Sequence, residues 1–377
     1  MTLPRSEYVQ EGQEGVYHCF CRCVRRAFLY GFDPLTHQDF SHRKAWLVDR
    51  LKHLSAIFAI EVCAYAIMWN HYHTILRTRP DIVASWSDRE VAIRWLKLFP
   101  KHLGPGGAAI PATEDDICAL ANCPERIATL RKRLCSLSWF MGRLNEFIAR
   151  AANKEDKVKG RFWESRFKCQ ALLDEAAITA CMVYVDLNPI RASLAATPEE
   201  SDFTSIQERI HAWQNESMTG ASVPTETTQD IRPSSLNTEM LIPENAGDNS
   251  IPKSASAMNH SLDAAPFSSC WLCPISSEPQ RRGVLQMTAV EYFDLVDKSG
   301  RIIRSDKRGA IDADLAPILL RIGANPQAWL ETISQFESRF CLAAGLLPNL
   351  RNFAQQIGRK WLKGVAIART AFASSLP

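Results

Sequence analysis

Hydrophobic and polar residues alternate along the first part of the chain in a way that predicts a small sheet. Residues 16–24 (VYHCFCRCV) alternate and are rich in β-branched and aromatic types, which is typical of a strand. Residues 41–58 repeat their apolar positions at helical spacing. Residues 60–68 and 71–77 are then predicted as two antiparallel strands, joined by a tight turn. This order of strand, helix, strand and strand is the opening of a ferredoxin-like α+β sandwich, so we predict an antiparallel sheet with helices.

Later segments predict helices that accompany this sheet. Residues 87–99 and 125–151 have helical spacing of their apolar positions. Asp174 opens a further helix, since an acidic side chain suits the positive end of the helix dipole. That helix runs through Tyr184, and Pro189 ends it because proline cannot continue the hydrogen-bond ladder.

A change of composition divides the chain into three parts. Residues 214–280 hold seven of the 20 prolines and carry 2 Lys and Arg against 8 Asp and Glu. Such a Ser/Pro-rich acidic segment buries too little apolar surface to offset its ordering entropy, so it is predicted to be a flexible linker. The parts are therefore a first domain over residues 1–213, this linker, and a small, mainly helical C-terminal domain over residues 281–377. Within the last part, helices are predicted around 313–321, 326–344 and 349–368.

The charge distribution indicates a polyanionic partner more clearly than the net charge of +3 does. Residues 125–170 hold 12 Lys and Arg against 5 Asp and Glu, a local excess that can engage nucleic acid. A solvated helix face is the alternative interpretation of that excess.

No apolar signal-peptide core follows Met1, which favours a cytoplasmic protein with reduced cysteines. The most apolar stretch, 56–68, is short and contains Glu61, so we expect a core strand and no membrane span.

Two histidines on one strand form the first candidate for chemistry. His71 and His73 stand two apart and therefore point to the same face of a strand, while Tyr72 points to the other. Neighbouring imidazoles can hold a divalent metal. Paired strand histidines are also common without any metal, and the pair alone leaves both interpretations open.

The helix that follows Asp174 contains a second candidate. Tyr184 and Asn188 are four residues apart and share one helix face. The amide oxygen of Asn188 is a hard ligand that could complete a metal site begun by two histidines. A tyrosine, with an ordinary pKa of about 10, needs such help to act as a nucleophile. The alternative is that Tyr184 only packs at the helix edge while Asn188 caps the helix before Pro189.

A third segment alternates cations with aromatic residues. Residues 157–168 (KVKGRFWESRFK) combine charges that can follow a phosphate backbone with rings that can stack on unpaired bases. A surface loop with its aromatics in the core is the alternative.

The order of these three segments resembles the HUH single-tyrosine transposases, the family that includes the REP-associated tyrosine transposases. His71-Tyr72-His73 is similar to the family's His-hydrophobic-His motif. Residues 160–167 (GRFWESRF) are similar to its Gly-x-x-Trp-x-x-Arg-Phe/Tyr segment. Residues 184–192 (YVDLNPIRA) resemble its tyrosine helix, which ends in Asn-Pro-x-Arg-Ala. The resemblance covers residues 16–205, with Trp69 standing where the family often has proline.

This resemblance implies a HUH nuclease fold and a defined set of roles. His71, His73 and Asn188 would hold Mg²⁺ or Mn²⁺. Tyr184 would attack a DNA phosphate, form a 5′-phosphotyrosine bond and release a 3′-hydroxyl. The substrate would be single-stranded DNA with a hairpin beside the cut site. We expect DNA contacts from the cations and tryptophan of the third segment and from the arginine after the tyrosine helix: Lys159, Arg161, Trp163, Arg166, Lys168 and Arg191.

Two other functions remain open at this level. One is a transposase descendant that binds DNA hairpins without catalysis, although all four chemical positions hold suitable residue types. The other is a metal-dependent phosphodiesterase that uses water. The resemblance also allows either a monomer or a homodimer whose subunits exchange the tyrosine helix.

Overall fold

A computed structural model of the chain describes residues 5–24, 30–33, 37–219, 271–278, 281–303, 336 and 340–371. The strands within these residues are β1 (Gly15–Arg22), β2 (Phe32–Asp33), β3 (Gln38–Asp39), β4 (Ile60–Ile67), β5 (His71–Thr78), β6 (His102–Leu103), β7 (Ala109–Ile110), β8 (Lys168–Leu172) and β9 (Ala343–Ala344). The helices are α1 (His42–Ile57), α2 (Pro80–Ser85), α3 (Asp88–Leu98), α4 (Glu114–Ala121), α5 (Pro124–Leu134), α6 (Leu137–Glu155), α7 (Glu175–Asp186), α8 (Asn188–Arg191), α9 (Ser205–Thr219), α10 (Ala289–Ile303), α11 (Leu347–Gln356) and α12 (Val365–Ala371).

The centre of this α+β fold is a five-stranded sheet in the order β4-β5-β1-β8-β9. The first four strands of that order are antiparallel to their neighbours. The predicted opening of strand, helix, strand and strand is therefore confirmed by β1, α1, β4 and β5. The sheet also contains a parallel pair, β8 and β9, so the prediction of a purely antiparallel sheet is wrong at this edge.

The C-terminal part of the chain supplies that parallel strand. Residues 343–344 belong to β9, whereas the sequence predicts a helix as far as residue 344. The reason is that β8 offers unpaired backbone groups at the sheet edge, and Ala171 N–H and Leu173 N–H donate to the carbonyls of Leu342 and Ala344. The predicted helix at 313–321, and most of the one that ends at 344, lie outside the described residues.

Helices cover the two faces of the sheet differently. Helix α6 lies on the face to which Tyr72 points, because the Tyr72 hydroxyl donates to Asn145 Oδ1 at 2.7 Å. Helix α7 packs against β4, β5 and β8. The side chain of Asp174 accepts from Ala177 N–H at 2.9 Å and caps the start of α7, as the sequence predicts.

Two long helices of the sequence prediction are interrupted in the structure. The segment 125–151 forms α5 and α6, which are separated at Cys135 and Ser136. The carbonyl of Leu134, in the last turn of α5, accepts from Ala59 N–H at 2.9 Å and so holds that helix end against the sheet. The segment 349–368 likewise forms α11 and α12 instead of one helix.

Described residues from 271–278 and 281–303 pack into the same hydrophobic core as the sheet. Cys273 N–H donates to the carbonyl of Val62 on β4 at 2.8 Å. Asp186, at the end of α7, accepts from Ser205 Oγ and from the hydroxyl of Tyr292, each at 2.6 Å. Burial raises the pKa of Asp186 to about 6, although both hydrogen bonds oppose the shift. Helices α7, α9 and α10 are thus tied together at one carboxyl group.

The predicted linker lies mostly outside the described residues. Its first residues, 214–219, belong to α9, and 271–278 lie against the sheet. The division of the chain into domains at residues 213 and 281 stays a prediction. Among the described helices, none has both the length and the apolar character that crossing a bilayer requires.

Candidate active site

The register of three strands places a set of polar side chains on one face of the sheet. In β1 and β5, Arg22 lies opposite His71 and Phe20 lies opposite His73. In β1 and β8, His18 lies opposite Gln170. Because residues opposite one another in antiparallel strands share a face, and residues two apart do so too, these side chains form one surface. The prediction that His71 and His73 share a strand face is confirmed.

The two histidines of β5 lie close together but in different surroundings. Their ring centroids are 5.1 Å apart, with the ring planes at 88°. His71 is half-buried, and its Nδ1 is 2.7 Å from Asn70 Oδ1. His73 is only 1% exposed. Burial lowers the pKa of His71 to about 4, helped by the charge of Arg22, and burial places the pKa of His73 well below its usual range. Both imidazoles are therefore neutral at pH 7, the state in which histidine binds a metal.

A buried chain of hydrogen bonds extends from His73 across the sheet. His73 Nδ1 lies 3.0 Å from His18 Nε2, and His18 Nδ1 lies 2.8 Å from Gln170 Oε1. Gln170 Nε2 donates to the carbonyl of Phe340 at 2.8 Å. Burial lowers the pKa of His18 to about 4, against the bond with Gln170, which raises it. The other ring nitrogen of His73, Nε2, is buried and has no hydrogen-bond partner among the described residues.

Tyr184 lies on α7 directly against the histidines. Its ring centroid is 5.6 Å from that of His73, with the planes at 88°, and 6.0 Å from that of His18. The guanidinium carbon of Arg191, on α8, is 4.8 Å from the centroid of the Tyr184 ring. A tyrosine, two histidines and an arginine therefore meet at one place, although they come from separate elements. A cation close to a phenol ring stabilises the phenolate form.

Asn188 lies one turn beyond Tyr184, and its side chain caps that helix. Its Nδ2 donates to the carbonyl of Tyr184 at 3.2 Å. This is the capping role that the sequence left open. The hydrogen bond uses the amide nitrogen and so fixes the orientation of the Asn188 amide. The amide oxygen keeps its lone pairs, and its role as a metal ligand stays a prediction.

Aromatic residues from the C-terminal part of the chain cover Tyr184. The Phe336 ring centroid is 5.8 Å from that of Tyr184 and 6.3 Å from that of His18. The Phe340 ring follows at 5.2 Å from that of Phe336. Tyr184 is only 5% exposed. No sequence pattern indicated this contact, because it joins segments that are far apart in the chain.

The basic segment lies beside the end of β1, next to His71. The carbonyl of Phe162 accepts from Val24 N–H, and Glu164 N–H donates to the carbonyl of Arg22. Four predicted DNA-contacting cations are exposed and form no ion pair with any described residue: Lys159, Arg161, Arg166 and Lys168. A pocket opens between this segment and the histidine strand, and its lining is Phe20, Cys21, Arg22, His71, Glu164, Ser165 and Lys168.

Trp163 has a different position from these cations. It is half-buried, its ring centroid is 5.6 Å from that of Tyr72, and its indole N–H donates to the carbonyl of Asn145 at 2.9 Å. The ring therefore anchors the basic segment to the sheet and to α6. Base stacking by Trp163 stays a prediction. It would require one face of the indole ring to be open to the DNA.

The side chains around the histidine strand limit how a divalent metal could bind. Among the described residues, no group of three or more His, Cys, Asp and Glu side chains could hold a metal ion. A site would thus consist of the two imidazoles of His71 and His73 with an oxygen donor such as the Asn188 amide. His73 Nε2 is buried and has no hydrogen-bond partner among the described residues, which fits a metal-binding role because a buried nitrogen lone pair is otherwise left unsatisfied.

Sequence reasoning missed two members of this cluster, His18 and Gln170. Both are buried polar residues on strands. His18 is visible in the sequence as a polar residue at an inward position of an alternating strand. Only the pairing of β1 with β5 and with β8 places the two side chains beside His73.

No protein-family model matches the chain, and no curated protein matches it. A solved structure of the REP-associated tyrosine transposase bound to a REP hairpin is similar to it at 12% identity and a TM-score of 0.28. The likeness covers 64% of this chain and 99% of that chain. At this TM-score the likeness does not bear on the fold or the function of this chain.

Proposed function

We propose that the protein is a transposase-type DNA strand transferase with Tyr184 as its nucleophile. The observation that supports this most directly is the contact between the rings of Tyr184 and His73, whose centroids are 5.6 Å apart. The two residues are more than a hundred positions apart in sequence, and they belong to different motifs of the resemblance. In a ferredoxin-like HUH domain, the helix with the tyrosine would have to contact the strand with the two histidines, because the tyrosine and the histidines form one active site.

In the proposed reaction, the phenolic oxygen of Tyr184 attacks a phosphorus atom of single-stranded DNA. The new bond joins that oxygen to phosphorus, and the bond from phosphorus to the 3′-oxygen breaks. The phenol's proton passes to solvent, and the departing 3′-oxygen takes a proton from solvent and becomes a hydroxyl. One phosphoester bond forms at Tyr184 for the one that breaks in the DNA, so the energy of that bond is kept in the phosphotyrosine. A 3′-hydroxyl can therefore attack the phosphotyrosine and rejoin the DNA without ATP. The guanidinium of Arg191 lies over the Tyr184 ring, and its charge favours the phenolate.

His71, His73 and Asn188 would hold Mg²⁺ or Mn²⁺, which would supply Lewis-acid polarisation of the phosphate. The exposed cations of the basic segment would bind the strand along its phosphates, with Arg22 and Lys168 beside the pocket at His71. The substrate would carry a hairpin next to the cut site. A homodimer is one arrangement that could hold this hairpin.

The burial of Tyr184 favours one alternative, a transposase descendant that binds DNA hairpins without cutting them. Tyr184 is only 5% exposed, and the Phe336 ring packs against it with centroids 5.8 Å apart. In an active enzyme, side chains around Tyr184 would have to move to admit a phosphate when DNA binds. In a binding protein, they would stay in place.

A covalent-adduct assay separates these functions. The probe is a pool of single-stranded oligonucleotides, each with a hairpin, randomised flanking nucleotides and a 3′ fluorophore. Because the downstream fragment keeps the scissile phosphate, the label should migrate with the protein on a denaturing gel in Mn²⁺ or Mg²⁺. Tyr184→Phe should abolish this band.

Tyr30→Phe is the matched control, because the buried Tyr30 hydroxyl has no hydrogen-bond partner among the described residues. It should form the adduct as the unmodified protein does. Hairpin binding with no adduct from the unmodified protein would support the binding alternative. Cleavage without a covalent species would support a phosphodiesterase that uses water, and an adduct with Tyr184→Phe would refute the nucleophile.

A further inference from the structure

The hydrogen-bond chain that ends at His73 begins at a backbone carbonyl in the C-terminal part of the protein. It passes from Phe340 through Gln170 and His18 to His73, with every step between 2.8 and 3.0 Å. The three side chains are at most 2% exposed, so water does not compete for these bonds. The direction of each bond can therefore be worked out from which atoms are able to donate.

The carbonyl of Phe340 sets the orientation of the Gln170 amide. A carbonyl oxygen only accepts hydrogen bonds, so the amide nitrogen of Gln170 must face it. The amide oxygen of Gln170 then faces His18 Nδ1, and that oxygen also only accepts. The Phe340 carbonyl is itself held in place, because the chain enters β9 three residues later and pairs with β8.

The orientation of Gln170 then determines the protonation of both histidines. His18 Nδ1 must carry a hydrogen in order to donate to Gln170, so Nε2 of the neutral His18 has the lone pair. His73 Nδ1 must in turn carry a hydrogen to donate to His18 Nε2. The lone pair of the neutral His73 is thereby confined to Nε2, the nitrogen that has no partner among the described residues.

We propose that His18 and Gln170 are positioning residues that fix the tautomer of His73, so that its Nε2 is held ready to bind a divalent metal. This inference rests on the proposed function, because it assigns a support to one of the proposed metal ligands. A ligand histidine whose other nitrogen is fixed by a hydrogen bond binds its metal more tightly, and loss of such a partner costs about 10- to 100-fold in affinity.

Gln170→Leu tests the inference, because leucine is similar in size and neither donates nor accepts. His18 would lose its acceptor, and His73 could then protonate on Nε2. Binding of Mn²⁺ is followed in the DNA-free protein by the electron paramagnetic resonance signal of the free ion. We expect the affinity of the variant to fall by about 10- to 100-fold.

Two control variants separate positioning from simple destabilisation. Gln170→Glu should retain Mn²⁺ affinity, because a buried protonated carboxyl offers one donor and one acceptor in the same places. Thr74→Val removes another buried hydrogen bond on β5, from the threonine hydroxyl to the carbonyl of Cys19, and should also leave the affinity unchanged. Equal losses in Thr74→Val and Gln170→Leu would overturn the inference.

A second measurement does not depend on metal or on DNA. Nitrogen-15 chemical shifts of the histidine rings distinguish a protonated nitrogen from one with a lone pair. In metal-free protein, His73, assigned through a His73→Gln variant, should be protonated on Nδ1. In Gln170→Leu, a share of His73 should become protonated on Nε2.

An unchanged His73 pattern in Gln170→Leu, or unmodified protein that binds no Mn²⁺, would overturn the inference. Protein that binds Mn²⁺ through this chain but forms no DNA adduct would overturn the proposed reaction alone. The two failures are thus distinguishable.

Discussion

The imidazole of His73 meets the ring of Tyr184 edge to face, with centroids 5.6 Å apart and planes at 88°. Strand β5 and helix α7 each present one of the two residues. The contact is buried on the His73 side by the sheet and on the Tyr184 side by Phe336. A proposed metal ligand, the proposed nucleophile and an aromatic ring packed against it therefore occupy one small region.

Loss of His71 should separate DNA cleavage from DNA binding. His71→Ala removes one of the two proposed imidazole ligands but leaves the exposed cations in place, so adduct formation should disappear while hairpin binding remains. Chelation of divalent ions by EDTA should have the same effect on the unmodified protein. Gel shift and adduct yield are measured side by side.

His42→Ala is the control for that variant, since His42 is exposed at the start of α1 and bonds to Glu155. It should form adducts normally. Full adduct yield from His71→Ala would rule out His71 as a necessary ligand.

Removal of the Phe336 ring should expose Tyr184. Phe336 is fully buried against Tyr184, so Phe336→Ala opens the phenol to solvent while costing about 3–5 kcal/mol of stability. Nitration by tetranitromethane, mapped by mass spectrometry, should increase at Tyr184. Phe353→Ala truncates another buried phenylalanine, on α11, and should not increase it. Equal nitration of Tyr184 in both variants would show that the effect is general loosening.

Cations of the basic segment should determine how DNA affinity depends on salt. Lys159→Gln with Lys168→Gln should lower single-strand affinity and reduce the slope of log affinity against log salt by about 1.4, at roughly 0.7 per phosphate contact. Lys97→Gln with Lys363→Gln removes two other exposed cations and should leave the slope unchanged. Fluorescence anisotropy from low to moderate salt measures both. An equal change in the two pairs would mean that only net charge matters.

The bond between Tyr292 and Asp186 should stabilise the whole fold. Tyr292→Phe leaves a buried carboxyl oxygen without its donor, so the free energy of unfolding should fall by about 1–3 kcal/mol. Urea denaturation measures it. Tyr30→Phe, which removes a buried hydroxyl that has no partner among the described residues, should change the free energy far less. Equal free energies of unfolding in the two variants would mean that the bond between Tyr292 and Asp186 does little to stabilise the fold.

Local patterns were sufficient for the elements that bear the candidate residues. Strand predictions at residues 16–24, 60–68 and 71–77 matched β1, β4 and β5, and the i, i+2 rule placed His71 and His73 on one face. The acidic start at Asp174 predicted α7, and Asp174 caps it. These predictions succeeded because strand alternation and helix capping depend on neighbours within a few residues.

Predictions that needed distant partners were less complete. The sequence predicted a helix up to residue 344, but Ala343 and Ala344 pair with β8, whose edge offered free backbone groups. His18 and Gln170 were missed because strand register, which their own segments do not encode, brings them to His73. The contact between Phe336 and Tyr184 was missed because it joins segments that are far apart in the chain.

The order and spacing of residues were enough to predict a strand with two histidines on one face, a helix with Tyr184 and a basic segment between them. Each depends on local periodicity, which the chain specifies within a few residues. The tertiary structure settled which nitrogen of His73 has the lone pair, and that Tyr184 lies under an aromatic ring. Those properties arise from burial and from hydrogen bonds between segments that meet only when the chain is folded.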